Sequence, residues 1–251
     1  MRWHVWCYRI IIEIMKTKTL KPLICLALAV GFSSTALAGS FTFTTGAGST
    51  DSAGDPVSAQ AIFVTGNGTL SITLSNLLVN QKDVGQSVSD LFFTLNNSAL
   101  TSGTIGTDGP DALVNVASNG TASSAGTGPS GWLLFFGSGK FLLNGLGGAA
   151  FVPSHTILGA PGPGGTYSNA NASIAGNNPH NPFINQTATW TINITGITAN
   201  TIVTAATFSF GTTAGNNVPG VPPSVPDGGT AGMLLGAALA GLGMLRRYLK
   251  N

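Results

Sequence analysis

Between Gly39 and Gly211, apolar residues recur at every second position in short runs punctuated by glycine and asparagine. In AIFVTGNGTLSITLSNLLV, Ile62 and Val64 alternate on one side of Gly66-Asn67-Gly68, and Leu70, Ile72 and Leu74 on the other. A two-residue period belongs to a strand with one buried face, and Gly-Asn-Gly suits positive φ, so the stretch predicts a β-hairpin. The same period runs through Leu91, Phe93 and Leu95, through Trp190, Ile192 and Ile194, and through Ala206, Phe208 and Phe210. No long stretch before Thr230 carries a helical period. The expected fold is all-β: an antiparallel β-sandwich with jelly-roll-like connections over residues 39–211.

The stretch from Gly126 to Pro182 is less regular. GWLLFFGSGKFLLNGLGGAAF predicts a buried hairpin around Gly137-Ser138-Gly139, and GAPGPGGTYSNANASIAGNNPHNP predicts a long polar loop. Trp132 and Trp190 sit within strand patterns and are expected in the core, whereas Tyr167, in the polar loop, is the candidate for an exposed contact. Residues 212–224 read as a Pro/Gly/Asn linker.

Charge changes the picture by its scarcity. From Gly39 to Ser224 the chain carries Asp51, Asp55, Asp83, Asp90, Asp108 and Asp111 against Lys82 and Lys140, six negative and two positive, although the whole chain has a net charge of +2. A domain near −4 without arginine has no electrostatic footprint for nucleic acid. It also lacks glutamate and cysteine, and its two histidines, His155 and His180, do not have metal-motif spacing. No Gly-x-Ser-x-Gly elbow is present, and in GSGK the position after Lys140 is Phe141 instead of a phosphate-loop hydroxyl. The expectation is a non-enzyme without a cofactor. Asp51 with Asp55, and Asp108 with Asp111, fit turns beside Gly and Pro, with calcium ligation as the alternative. Asn-x-Ser/Thr sequons at Asn67, Asn96, Asn119, Asn171, Asn185 and Asn193 are near what this composition produces by chance.

The two ends carry the clearest signals. Residues 1–14 fit an upstream start extension ahead of Met15. From there Lys16, Lys18 and Lys21 precede an apolar core from Leu23 to Phe32, and Ala36-Leu37-Ala38 supplies the small-x-small pattern read by signal peptidase. Residues 15–38 are therefore the expected signal peptide, cut before Gly39. Cys7 and Cys25 both precede that cut, so the mature chain is expected to hold no disulfide. At the other end, Thr230 to Leu245 is free of charge and is followed by Arg246, Arg247 and Lys250. A helix over that run reaches roughly 24 Å at ~1.5 Å per residue, a marginal span of a ~30 Å hydrocarbon core, with the basic tail as stop-transfer. Gly232, Gly236 and Ala240 share one face of it, either as a plain anchor or as a docking stripe.

Motif, thin apolar helix and basic end together resemble the C-terminal sorting signals read by exosortases, the PEP-CTERM type. Val225, Pro226, Asp227, Gly228 and Gly229 are similar to the VPDSG-CTERM variant, with Gly228 where serine is usual. The resemblance covers residues 225–251. It implies cleavage near the motif by an exosortase-like membrane enzyme, then release or transfer to the cell surface, with this chain as substrate. AIFVTGNGTLSITLSN also resembles a run that opens domains in such families. The implied role is that of a structural or adhesive protein of the cell surface or extracellular matrix, with exopolysaccharide as a partner. A carbohydrate- or ice-binding module is the alternative, and a secreted hydrolase the more distant one.

Overall fold

The computed structural model describes residues 38–137, 139–146, 154–177, 180–223 and 238–239. The expected signal peptide as far as Leu37, the motif Val225–Gly229 and the basic residues Arg246, Arg247 and Lys250 lie outside them. So does most of the Thr230–Leu245 span; among the described residues no helix is long and apolar enough to cross a membrane. Gly39, placed first after the expected cut, opens the first strand.

The strands are β1 (Gly39–Thr45), β2 (Ala59–Thr65), β3 (Thr69–Asn76), β4 (Val88–Leu95), β5 (Thr104–Asp108), β6 (Asp111–Val116) and β7 (Ala122–Gly128). They continue with β8 (Leu133–Gly137), β9 (Lys140–Asn144), β10 (Ile157–Leu158), β11 (Phe183–Asn185), β12 (Thr187–Asn193), β13 (Val203–Phe210) and β14 (Asn217–Val221). They form one hydrogen-bonded sheet in the order β5-β12-β3-β2-β1-β14-β13-β4-β10-β11-β6-β7, with β9 also on β4 and β8 on β9. The seam between β1 and β14 is two residue pairs, Thr44 with Val221 and Thr45 with Gly220. Beyond it the sheet curls so that β1–β3 face β4, β9 and β13 across a core.

Two expectations are corrected here. The fold is mostly β as predicted, but it is a single curled sheet, and it is mixed because β10 and β11 run parallel. Parallel neighbours need a long crossover, and residues 159–182 are that crossover. Much of their polar surface is exposed, but two residues anchor them: Tyr167, 1% exposed, and Ile174 join a second cluster with Val114, Val116, Leu158 and Phe183. The Tyr167 hydroxyl donates to the Gly159 carbonyl at 2.7 Å, and burial pushes the phenol's pKa upward. The short helix α1 (Ala172–Ala175) follows, capped by the Asn171 side chain accepting from the Ser173 N–H. Tyr167 is thus a core residue, not an exposed contact.

The four-ring series Phe43–Phe63–Phe93–Phe141 carries the main core. Phe43 meets Phe63 edge-on at 6.0 Å, Phe63 meets Phe93 at 5.2 Å, and Phe93 stacks on Phe141 at 5.3 Å. Because β2 and β4 are not neighbours in the sheet, the Phe63–Phe93 contact joins its two halves. Each such pair contributes about 0.5–1.5 kcal/mol beyond area burial. Trp132 and Trp190 are buried as expected, 5.0 Å apart, with their indole N–H groups donating to the His155 carbonyl and to Ser130 Oγ.

The β2–β3 hairpin forms where predicted, with Gly68 at φ +81° in its turn, but the opposite face of β2 is buried. Register places Thr65, Phe63 and Ala61 opposite Leu70, Ile72 and Leu74, and directly opposed residues share a face. Ile62 and Val64 therefore point outward, Val64 being 38% exposed. The parity of a strand is set by its partner, and the bulkiest residue of β2 goes inward. The predicted β8–β9 hairpin also forms, but only half is buried. Phe141 and Leu143 are inside, while Phe135 and Phe136 are 44% and 47% exposed, because among the described residues no strand pairs beyond β8. Finally, β14 lies inside the stretch read as a linker, held by Val218 opposite Phe208.

Phe63→Ala is expected to lower stability by about 3–5 kcal/mol, and Val64→Ala by less than about 0.5 kcal/mol. Urea denaturation of the two variants checks the face assignment; equal losses would contradict it.

Candidate functional site

The outer face of β12, β3, β2 and β1 follows directly from their registers. Three rows cross it: Thr191–Ser71–Val64–Ser40, Thr189–Thr73–Ile62–Thr42 and Thr187–Ser75–Gln60–Thr44. Nine of these twelve positions are serine or threonine, and none is charged, so the surface is a neutral hydroxyl grid. Thr107 of β5 extends the first row beside Thr191. Rows lie about 6.8 Å apart along each strand, and strands about 4.8 Å apart. Ser75 and Thr187 hydroxyls bond at 2.9 Å, Gln60 Nε2 donates to Thr44 Oγ1 at 3.3 Å, and Thr189 Oγ1 donates to Asp111 Oδ1 at 3.0 Å. These contacts fix the orientation of part of the grid. The pattern was legible in the polar positions of TLSITLSN and TATWTIN, but which strands lie side by side was not.

The acidic pairs are placed in two different settings. Asp51 Oδ1 accepts the Ala53 and Asp55 N–H groups, each at 2.9 Å, which is the turn role expected of it. Asp55 pairs with Lys82, Nζ to Oδ2 at 2.8 Å, an exposed bridge that solvent screens. Asp83, which sequence reading did not single out, joins them: carboxylate oxygens of Asp51, Asp55 and Asp83 lie within 4.8 Å of one another. The 3-10 turn Val84–Gln86 brings it there, and no local spacing announces this. Burial, then the Asp55 charge, push the Asp83 carboxyl upward, against the Gly85 amide. Asp51 and Asp83 line a cleft of about 360 Å³ with Asn171, Ser173, Thr212 and Asn216. Three hard oxygens here are the residues that could hold a calcium-type cation; with Lys82 on Asp55 they equally make a self-contained ionic corner.

Asp108 and Asp111 do not converge in this way. Both Asp108 oxygens are taken by backbone, from Ser130 N at 2.9 Å and Gly131 N at 3.0 Å, which ties the end of β5 to the segment before β8. Asp111 Oδ1 accepts from Thr189 N and Oγ1, both at 3.0 Å, joining β6 to β12, while its buried Oδ2 has no hydrogen-bond partner. Burial pushes the Asp111 carboxyl up to about 6; the Thr189 bonds oppose this and the Asp108 charge adds to it. Asp90 on β4 is likewise pushed up to about 6 by burial, against the amides of Gly145 and Leu146.

For both groups the folded value exceeds the ordinary 3.8, so the folded state binds more protons between about pH 4 and pH 6. Stability therefore falls as pH rises through that window and levels off above it. Asp90→Asn and Asp111→Asn keep the Oδ1 acceptor and remove the buried charge. Each is expected to raise stability at neutral pH by on the order of 1–2 kcal/mol and to flatten the slope, as read from denaturation midpoints across the window. A wild type that gains stability from about pH 4 to pH 6 would contradict the assignment.

The two histidines are placed differently, and the His155 Nδ1 is buried without a hydrogen-bond partner among the described residues. His180 is buried with Nδ1 against the Ser154 carbonyl, and the His155 carbonyl accepts the Trp132 indole N–H. No curated protein and no solved structure matches this chain. Residues 224–249 match the family model of the VPDSG-CTERM motif: this chain carries a C-terminal exosortase sorting signal.

Proposed function

We propose that this is an exported, exosortase-processed protein of the cell surface or extracellular matrix, whose β domain is a non-catalytic adhesive unit. Signal peptidase acts between Ala38 and Gly39, and the exosortase acts near Val225–Gly229 once Arg246, Arg247 and Lys250 have stopped transfer at the membrane. What supports the sorting half is the motif match over residues 224–249. What supports the adhesive half is the neutral hydroxyl grid on β12, β3, β2 and β1. A surface of hydroxyl donors and acceptors without charge suits a neutral, hydroxyl-rich polymer, an exopolysaccharide, and disfavours anionic partners. The lack of glutamate, arginine and cysteine between Gly39 and Ser224 supports the non-catalytic reading.

The same grid carries a second reading, ice binding, because regularly spaced threonines can hold ordered water. The twist of an open sheet works against matching an extended lattice, whereas a flexible polysaccharide follows a twisted face. The polysaccharide reading is therefore the favoured one.

Intact mass of the protein released from its native host is expected to run from Gly39 to a terminus within Val225–Gly229. A species retaining Asn251 in every fraction would end the processing half. For the adhesive half, the released protein is expected to co-sediment with neutral host polysaccharide, and a Ser71→Asp/Thr73→Asp double variant to lose at least about tenfold in affinity. Absence of wild-type co-sedimentation, with inhibition of ice recrystallisation in its place, would transfer the face to ice.

A further inference from the structure

β14 is short. It pairs with β1 at Thr44 and Thr45, and with β13 at Thr207, Phe208 and Ser209. Pro222 and Pro223 follow, and proline has no N–H with which to continue a ladder. Past them, among the described residues, no strand lies between the first half of β1 and the start of β13. A cleft of about 370 Å³ remains there, lined by residues 40–43, residues 202–204, Pro222 and Pro223.

The rim of this cleft is apolar and uncovered. Ile202 is 46% and Val221 54% exposed, both prolines are exposed, and the Phe41 ring is only partly buried. Apolar side chains gathered at one place form a patch, unlike the scattered single residues that any surface carries. No charged residue lines the cleft, but a cation stands beside it. Lys140 pairs with Thr94, whose hydroxyl bonds that of Thr204 at 2.7 Å. Two strand spacings thus put Lys140 about 10 Å from Thr204. It is exposed and has no ion pair among the described residues. The expected cut before Gly39 adds an α-ammonium next to Ser40. The carboxylate corner is held away: Asp51 and Asp83 line their cleft with Phe210, at the other end of β13. Seven residue steps separate Phe210 from Val203, roughly 23 Å.

An apolar patch with a free cation beside it, and carboxylates at a distance, is complementary to the interface of an anionic bilayer. It is also where the chain leaves the domain. Thr230, where the uncharged run begins, is seven residue steps from Pro223, a reach of at most about 25 Å.

We propose that this exit cleft docks on an anionic lipid bilayer while the C-terminal segment holds the chain there. Ile202 and Val221 enter the boundary between headgroups and acyl chains, and Lys140 meets lipid phosphate. The inference rests on the reading that residues 230–245 stop in the membrane before processing. One lysine and a few apolar side chains bind a membrane weakly and reversibly on their own. A short tether raises the local concentration of lipid and keeps so weak a face engaged. Cleavage within Val225–Gly229 removes the tether, so release follows from the cut itself.

The test uses the full chain in vesicles of phosphatidylcholine and phosphatidylglycerol that carry a spin-labelled headgroup lipid. A dye is attached through Asn200→Cys, two residues before Ile202, or through Ser52→Cys, at the carboxylate corner; both positions are exposed. The unsubstituted chain, treated identically, is the blank for Cys7 and Cys25. Quenching through Asn200→Cys is expected to exceed that through Ser52→Cys at least about threefold, and Ile202→Asp/Val221→Asp to remove most of the difference. A chain that does not float with the vesicles would end the anchored reading, and this proposal with it. A chain that floats, yet is quenched equally at the two positions or is unaffected by the double change, would overturn the docking alone. If the double variant does not fold, Lys140→Glu is read for the same loss.

Discussion

The contact between Phe63 and Phe93 is the one on which the rest of the structure depends. The sheet is continuous, and its halves are joined in backbone by two residue pairs between β1 and β14 and by Gln186, which bonds both Asn76 and Leu158. Narrow seams of this kind leave the filling of the space between the halves to side chains. The rings on β2 and β4, flanked by Phe43 and Phe141, fill it. With both cysteines ahead of the expected cut, no disulfide shares that task in the mature domain, so burial must supply the cohesion.

The parity that sends Phe63 inward also creates the candidate binding face. Because successive side chains alternate, each buried residue on β1, β2, β3 and β12 commits its neighbours to the outside. Those neighbours are mostly serine and threonine, so core and hydroxyl grid are two sides of one pattern. The scarce charges are spent at the joints. Asp108 and Asp111 tie β5, β6 and β12 to nearby backbone, and Asp90 holds the Gly145 amide, each at a cost in desolvation. Among the described residues, the corner at Asp51, Asp55 and Asp83 gathers carboxylates without burying them all.

Much of the framework was legible from alternation. The inward residues of β3 and β12 were readable because each run has a single apolar series. β2 misled, since AIFVT has apolar residues on both faces, and only its register against β3 decides between them. Tyr167 misled for a related reason: a polar, Gly/Pro-rich stretch reads as a loop, but a crossover between parallel strands must lie against the sheet. Asp83 was invisible because its partners come from a turn far away in the chain.

By itself the sequence determined the all-β class, the positions of most strands, the expected export signal and the sorting motif, because these rest on local periodicity or on contiguous residues. Tertiary structure decided which strands are neighbours, which face of β2 is buried and where the hydroxyl rows line up. Each of these is a relation between segments distant in the chain, set by how the sheet curls around its aromatic core and not by the composition of any one strand.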